Sequence, residues 1–91
     1  MSMSKRLKYI ADLVTPGYVT ADIGTDHGYV PVYLLKEGTV PRAIAVDLSE
    51  GSLSKAAALA ERAGLEECMD CRLSDGLQDV NPGEAQCIII S

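Results

Sequence analysis

Three aspartates and one glycine-bracketed turn are the parts of this sequence that can do chemistry. Asp22, Asp47 and Asp75 stand at or just past the ends of three short strand-like runs, 19–23, 43–47 and 68–73. Directly after the first of them comes Gly24-Thr-Asp-His-Gly28, which adds an acid, Asp26, and the chain's one imidazole, His27. Ionised carboxylates only accept hydrogen bonds, so they suit hydroxyl and amino groups and repel phosphate. An acid and an imidazole inside a tight turn are candidates for proton transfer. Both residues also have a structural reading. Asp26 can cap a following helix through its carboxylate, and His27 can anchor the turn by a side-chain hydrogen bond.

The elements that must position these groups follow from periodicity. Val19, Ala21 and Ile23 alternate with Thr20 and Asp22, which reads as a strand with one apolar face. Gly24 and Gly28 allow the reversal, and a helix starting near Pro31 runs to Gly38. The turn then aims free N–H groups and a positive dipole end at the space above the strand. Residues 43–47 are a continuous apolar run ended by an acid, as in a strand buried on both faces. Residues 49–63 form the longest helix, with Leu53, Ala56, Ala57, Ala60 and Ala63 on one face. Residues 68–73 and 86–91 read as third and fourth strands. In front, Ser4 caps a helix whose stripe is Leu7, Ile10, Ala11 and Val14, stopped by Thr15-Pro-Gly17.

Alternation of helices and strands predicts an α/β fold with a parallel sheet in order 3-2-1-4, the N-terminal half of a doubly wound Rossmann-like plan. The carboxyl ends of its strands share one edge, so the three acids converge there. An acid beside the turn disfavours a pyrophosphate and favours an ammonium group, which points to S-adenosylmethionine. Asp22 and the Gly24 backbone, with Thr25, Asp26, His27 and Gly28 completing the turn, would hold the amino group. Asp47, 23 residues after Gly24, would accept from two ribose hydroxyls. Asp75 and Gly76 would face the adenine amino group, with Leu48 and Leu77 flanking the ring. Two alternatives use the same pocket: a nucleotide-binding module without catalysis, and an NAD-dependent enzyme. Against the second, Gly24-x-Asp26-x-Gly28 lacks the G-x-G-x-x-G spacing, and Asp26 stands where a glycine would approach a pyrophosphate.

The stretch Ala21-Asp-Ile-Gly-Thr-Asp-His-Gly-Tyr-Val-Pro31 resembles the first motif, A-D-I-G-S-D-H-A-Y-L-P, of the bacterial tRNA adenine-N1 methyltransferases that modify the D-arm region. Ser4-Lys-Arg-Leu7, the acid ending the second strand and Ser74-Asp-Gly-Leu77 match in kind and place. The resemblance implies a class I methyltransferase fold, S-adenosylmethionine as cofactor, a tRNA adenine as target, and Asp26 and His27 as candidate catalytic residues. It also implies that residues 1–91 are a partial cofactor-binding domain. Family members continue past the fourth strand with a Gly-Met-Gly-Gly motif, more catalytic domain and a helical domain that helps hold tRNA. Methyl transfer by this part alone is not expected, and tRNA would bind mainly through parts beyond it.

Composition adds limits. A hydrophobic fraction of 47% in 91 residues argues for a folded domain, and a net charge of −5 gives no general attraction to nucleic acid. Lys5, Arg6 and Lys8 read as a solvated helix face. No secretory or membrane-spanning run is present, so the expected location is the cytoplasm. Cys68 and Cys71, three apart on a strand, should point to opposite faces and share no zinc, and Cys87 should pack as a small hydrophobe; no metal is expected. An apolar fourth strand at a sheet edge predicts self-association through residues 87–91.

Overall fold

In the computed structural model, which describes residues 3–90, three helices alternate with three strands and a fourth strand follows. They are α1 (Met3–Leu13), β1 (Thr20–Ile23), α2 (Tyr29–Lys36), β2 (Ala43–Asp47), α3 (Glu50–Arg62), β3 (Met69–Leu73) and β4 (Cys87–Ile90). The four strands are parallel in the predicted order β3-β2-β1-β4. Register pairs Ile23 with Val46 and with Ile90, and Asp47 with Leu73, so the strand ends line one edge of the sheet.

One face of that sheet carries all the helices. Alternate strand residues, Ala43, Ala45 and Met69, share a buried cluster with Val14, with Val30, Val32, Leu34 and Leu35 of α2, and with Ala56 and Ala60 of α3. Leu7, Ile10 and Ala11 pack onto it from α1, as their spacing predicts. Ser49 caps α3, its Oγ accepting the Ser52 N–H at 3.2 Å. Gly38 and Gly64 adopt φ of 72° and 73° just past α2 and α3, the left-handed conformation that ends helices.

The opposite face is thinner. Ala21, Ile44 and Val46 are buried there, covered by Val80 and Ala85 of the connection between β3 and β4. Arg72 holds that connection down. Its guanidinium donates to the Glu84 carboxylate, to the Asp79 carbonyl at 2.8 Å and to Asp70 at 2.7 Å. The Arg72 ion pair keeps the Glu84 carboxyl down at about 2, well below its ordinary 4.5, with the Asn81 N–H assisting. Beyond this cover Ile88 and Ile90 are exposed, Ile90 by 75%. The doubly wound plan is thus wound on one face only within the described residues.

Three expectations shift. Ser4 lies inside α1, which starts at Met3, and so does not cap it. β1 keeps the apolar face predicted for it, with Val19, Ala21 and Ile23 in one cluster, and its alternate residues Thr20 and Asp22 are buried too because the strand is interior and covered on both sides. α2 begins at Tyr29, two residues before Pro31, which is tolerated at the third position because the first helical N–H groups have no intrahelical acceptor. Cys68 lies ahead of β3 and packs against the same cluster as Cys71, so the two do not face opposite sides. Burial, and after it the charge of Asp70, raises the Cys71 thiol's pKa. Ser91 of the predicted fourth strand lies outside the described residues. No described helix is long and apolar enough to cross a membrane.

Candidate functional site

The turn after β1 is latched to the end of β2. Gly24 N–H and Thr25 N–H both donate to the Val46 carbonyl at 2.9 Å, and Asp26 N–H donates to Asp47 Oδ2 at 3.0 Å. These three donors, expected to be free for a ligand, are therefore already engaged. Asp47 Oδ1 accepts the Ser49 N–H at 2.9 Å, which ties the same carboxylate to the start of α3. An ionised carboxylate offers about four acceptor positions. Two are used by backbone, and the others remain for hydroxyl groups.

Asp26 has φ 60°, the left-handed region, and no other described non-glycine residue does. That conformation costs roughly 1–2 kcal/mol for an L-residue, less for Asp than for most. Its N–H bond to Asp47 helps sustain it. Asp26 does not cap α2. The N-cap is Gly28, at φ 79° and with no side-chain capping bond, because two residues separate Asp26 from the helix. The Asp26 carboxylate instead points outward, 75% exposed, with Oδ2 3.7 Å from His27 Nδ1.

His27 reaches a neighbouring helix as well as its own turn. Its Nε2 lies 3.4 Å from Lys55 Nζ. An ammonium only donates, so a hydrogen bond here requires the tautomer in which Nε2 accepts. The ring meets Tyr29 edge-on, centroids 5.8 Å apart. Gly28 sits behind the turn, where a Cβ would come within 2.6 Å of the Ala56 Cβ. The motif quoted above has Ala at this place, and here α3 packs too close for one.

Two cavities open at this edge. The larger, about 540 Å³, is lined by Gly24, Thr25, Asp26, His27 and Asp47, together with Arg6, Leu7, Tyr29, Val30 and Ser52. The smaller, about 290 Å³, is lined by Gly24, Asp47, Leu48, Asp75 and Gly76, together with Ile23, Val46, Ser74 and Ile90. Gly24 and Asp47 form the wall between them. Asp22, 1% exposed, lines neither, nor does the exposed Leu77.

Sequence reasoning gave no site role to Arg6, Tyr29 and Ser52, which reach the larger cavity from three helices, or to Ser74, quoted only as part of a motif. In sequence Arg6 reads as part of a solvated helix face, and a lone serine at helix spacing carries no motif. The Thr25 and Ser74 hydroxyls are buried without a hydrogen-bond partner. Each belongs to a residue on a different cavity's wall. Buried hydroxyls normally find partners, so the donor set fits a ligand with polar groups at both ends.

Comparison with known proteins agrees with this geometry. A family model described as a methyltransferase domain matches residues 3–91. The tRNA (adenine(22)-N(1))-methyltransferase of Bacillus subtilis is 36% identical over all 91 residues, which span 38% of its length. The structure of Streptococcus pneumoniae Sp1610 in complex with S-adenosyl-L-methionine superposes with a TM-score of 0.89 at 34% identity, covering 99% of this chain and 42% of that one. TrmK from M. capricolum, in complex with S-adenosyl-homocysteine, gives 0.85 at 33% identity, covering 99% and 40%. The chain thus spans about 40% of the length of these relatives. With its 3-2-1-4 parallel sheet and the match over nearly all its residues, the chain has the class I methyltransferase fold and belongs to the methyltransferase-domain family.

Proposed function

We propose that this chain carries the cofactor-binding part of an S-adenosylmethionine-dependent tRNA adenine-N1 methyltransferase. The observation that carries the reading is the Asp47 carboxylate, fixed by two backbone donors in the wall between two cavities. Asp47 would take the ribose hydroxyls. Leu48, Ser74, Asp75 and Gly76 would hold the adenine in the smaller cavity, with Leu77 at its margin. Gly24 and Thr25 would receive the amino-acid end in the larger one, with Gly28 keeping the turn close to α3. Asp22, buried, would act on the ammonium through its charge rather than by contact. The relatives' S-adenosylmethionine and S-adenosyl-homocysteine complexes support this assignment.

When bound, S-adenosylmethionine supplies an electrophilic methyl group. The protein's part is to orient, exclude water and manage charge. Adenine gains a positive charge on N1 methylation, and Asp26, exposed on the wall of the larger cavity, is placed to offset it. His27, joined to Lys55, would hold the turn in shape. The name of the B. subtilis relative supports tRNA as partner, and a tRNA partner would place the protein in the cytoplasm. Self-association through β4 is proposed on the exposure of Ile88 and Ile90.

Calorimetric titration with S-adenosylmethionine tests the cofactor assignment, and absence of binding to the folded chain would refute it. His27→Ala in a protein of the relatives' length should lose cofactor affinity and turnover together. Loss of turnover alone would move His27 into the chemistry.

A further inference from the structure

The net charge of −5 conceals a local cationic strip. Beside the larger cavity lies a groove of about 270 Å³ lined by His27, Tyr29, Lys55, Leu59 and Arg62. His27 and Tyr29 line the larger cavity as well, so the two adjoin there, and Arg6 is among the larger cavity's other lining residues. Lys55, Leu59 and Arg62 follow one stripe of α3, and Ser52, a turn earlier, reaches the larger cavity. No Asp or Glu lines the groove. Asp26, 3.7 Å from His27, is the carboxylate at its border. Tyr29 offers a half-exposed aromatic ring amid these cations.

We propose that Arg6, Tyr29, Lys55 and Arg62 form an RNA-contact strip that leads a polynucleotide towards the larger cavity, an inference that rests on the RNA-methyltransferase reading. RNA is held by Lys and Arg on its phosphates and by unstacked bases laid on aromatic rings. From Lys55 to Arg62 is seven residues, about 10 Å of helix, the rise of about three stacked nucleotides. A single small anion would use only one end of such a strip. This chain then contributes its own share of RNA binding, in contrast to the expectation that tRNA is held mainly elsewhere.

The test is fluorescence anisotropy of labelled bulk tRNA with the 91-residue chain between 50 and 200 mM salt, beside calorimetry with S-adenosylmethionine. Lys55→Ala and Arg62→Ala should each weaken tRNA binding several-fold at the lowest salt and flatten the log K against log salt slope by about 0.7–0.9. Tyr29→Leu should weaken binding and leave the slope. Lys8→Ala, which lines neither cavity nor groove, should do neither, and Arg62→Ala should leave cofactor binding intact. A chain that binds cofactor but no tRNA overturns the strip. So does tRNA binding with the same slope in wild type, Lys55→Ala and Arg62→Ala. Strip-dependent tRNA binding without cofactor binding would uphold the strip while refuting the methyl-donor assignment.

Discussion

Replacing Asp47 by Ala should separate the two jobs its carboxylate performs. The first is structural: Oδ2 holds the Asp26 N–H at 3.0 Å and Oδ1 the Ser49 N–H at 2.9 Å. Hydrogen bonds to a charged group are each worth roughly 1.5–3 kcal/mol when buried, and less here because both are reached by solvent. About 1–3 kcal/mol of stability should be lost in total, a fall in Tm of roughly 5–20 °C for a domain of this size. The second job is binding. Loss of hydrogen bonds from ribose hydroxyls to a carboxylate should cost roughly 1.5–3 kcal/mol more, about 10- to 150-fold in Kd for S-adenosylmethionine. Calorimetry measures the second at a temperature where a melting curve shows the variant folded. Asp47→Asn keeps the size and one acceptor oxygen, and should fall between wild type and Ala in both readouts. An unchanged Kd in a folded Asp47→Ala chain would remove Asp47 from the site.

Other perturbations test the frame around it. Gly28→Ala puts a methyl 2.6 Å from the Ala56 Cβ at φ 79° and should destabilise by about 2–5 kcal/mol, read as a Tm fall of roughly 10 °C or more; a Tm within about 2 °C of wild type would refute the close packing of α3. The Arg72–Glu84 clamp has a sign in pH. The folded-state carboxyl, near 2, lies below its ordinary 4.5, so its contribution is complete above about 4.5 and lost as pH falls towards 2. Glu84→Gln should therefore melt below wild type at pH 7 and converge with it near pH 2, whereas a constant gap would deny the linkage. Ile90→Lys should reduce self-association seen by light scattering at high concentration, and a wild-type chain that stays monomeric there would remove β4 as an interface.

The strand and helix order was legible because each element carries its own period. The run 43–47 ends at its acid in both sequence and structure, and Ser49 caps α3 where its hydroxyl can reach Ser52 N–H. Asp47 was legible for the same reason, since a strand's last residue falls at the sheet edge. What lay hidden was tertiary. Nothing local says that Val46 and Asp47 consume the N–H groups of the Gly24 turn, because the acceptors come from a strand some twenty residues away. Alternation in β1 marked one apolar face and said nothing of the other, where the strand's position between β2 and β4 buries Thr20 and Asp22. Asp26 reads as a helix cap from its type alone, but Gly28, left-handed and directly ahead of Tyr29, takes the cap position. Arg6 and Arg62 became functional candidates only when folding set them beside His27 and Tyr29.

The central claim, a methyl-donor site gripped by Asp47 at the sheet edge, is tested most directly by titrating this chain with S-adenosylmethionine and separately with NAD in a calorimeter. Saturable binding of S-adenosylmethionine, weakened in Asp47→Ala, with no heat from NAD, is the predicted result. Binding of NAD in place of S-adenosylmethionine would contradict it.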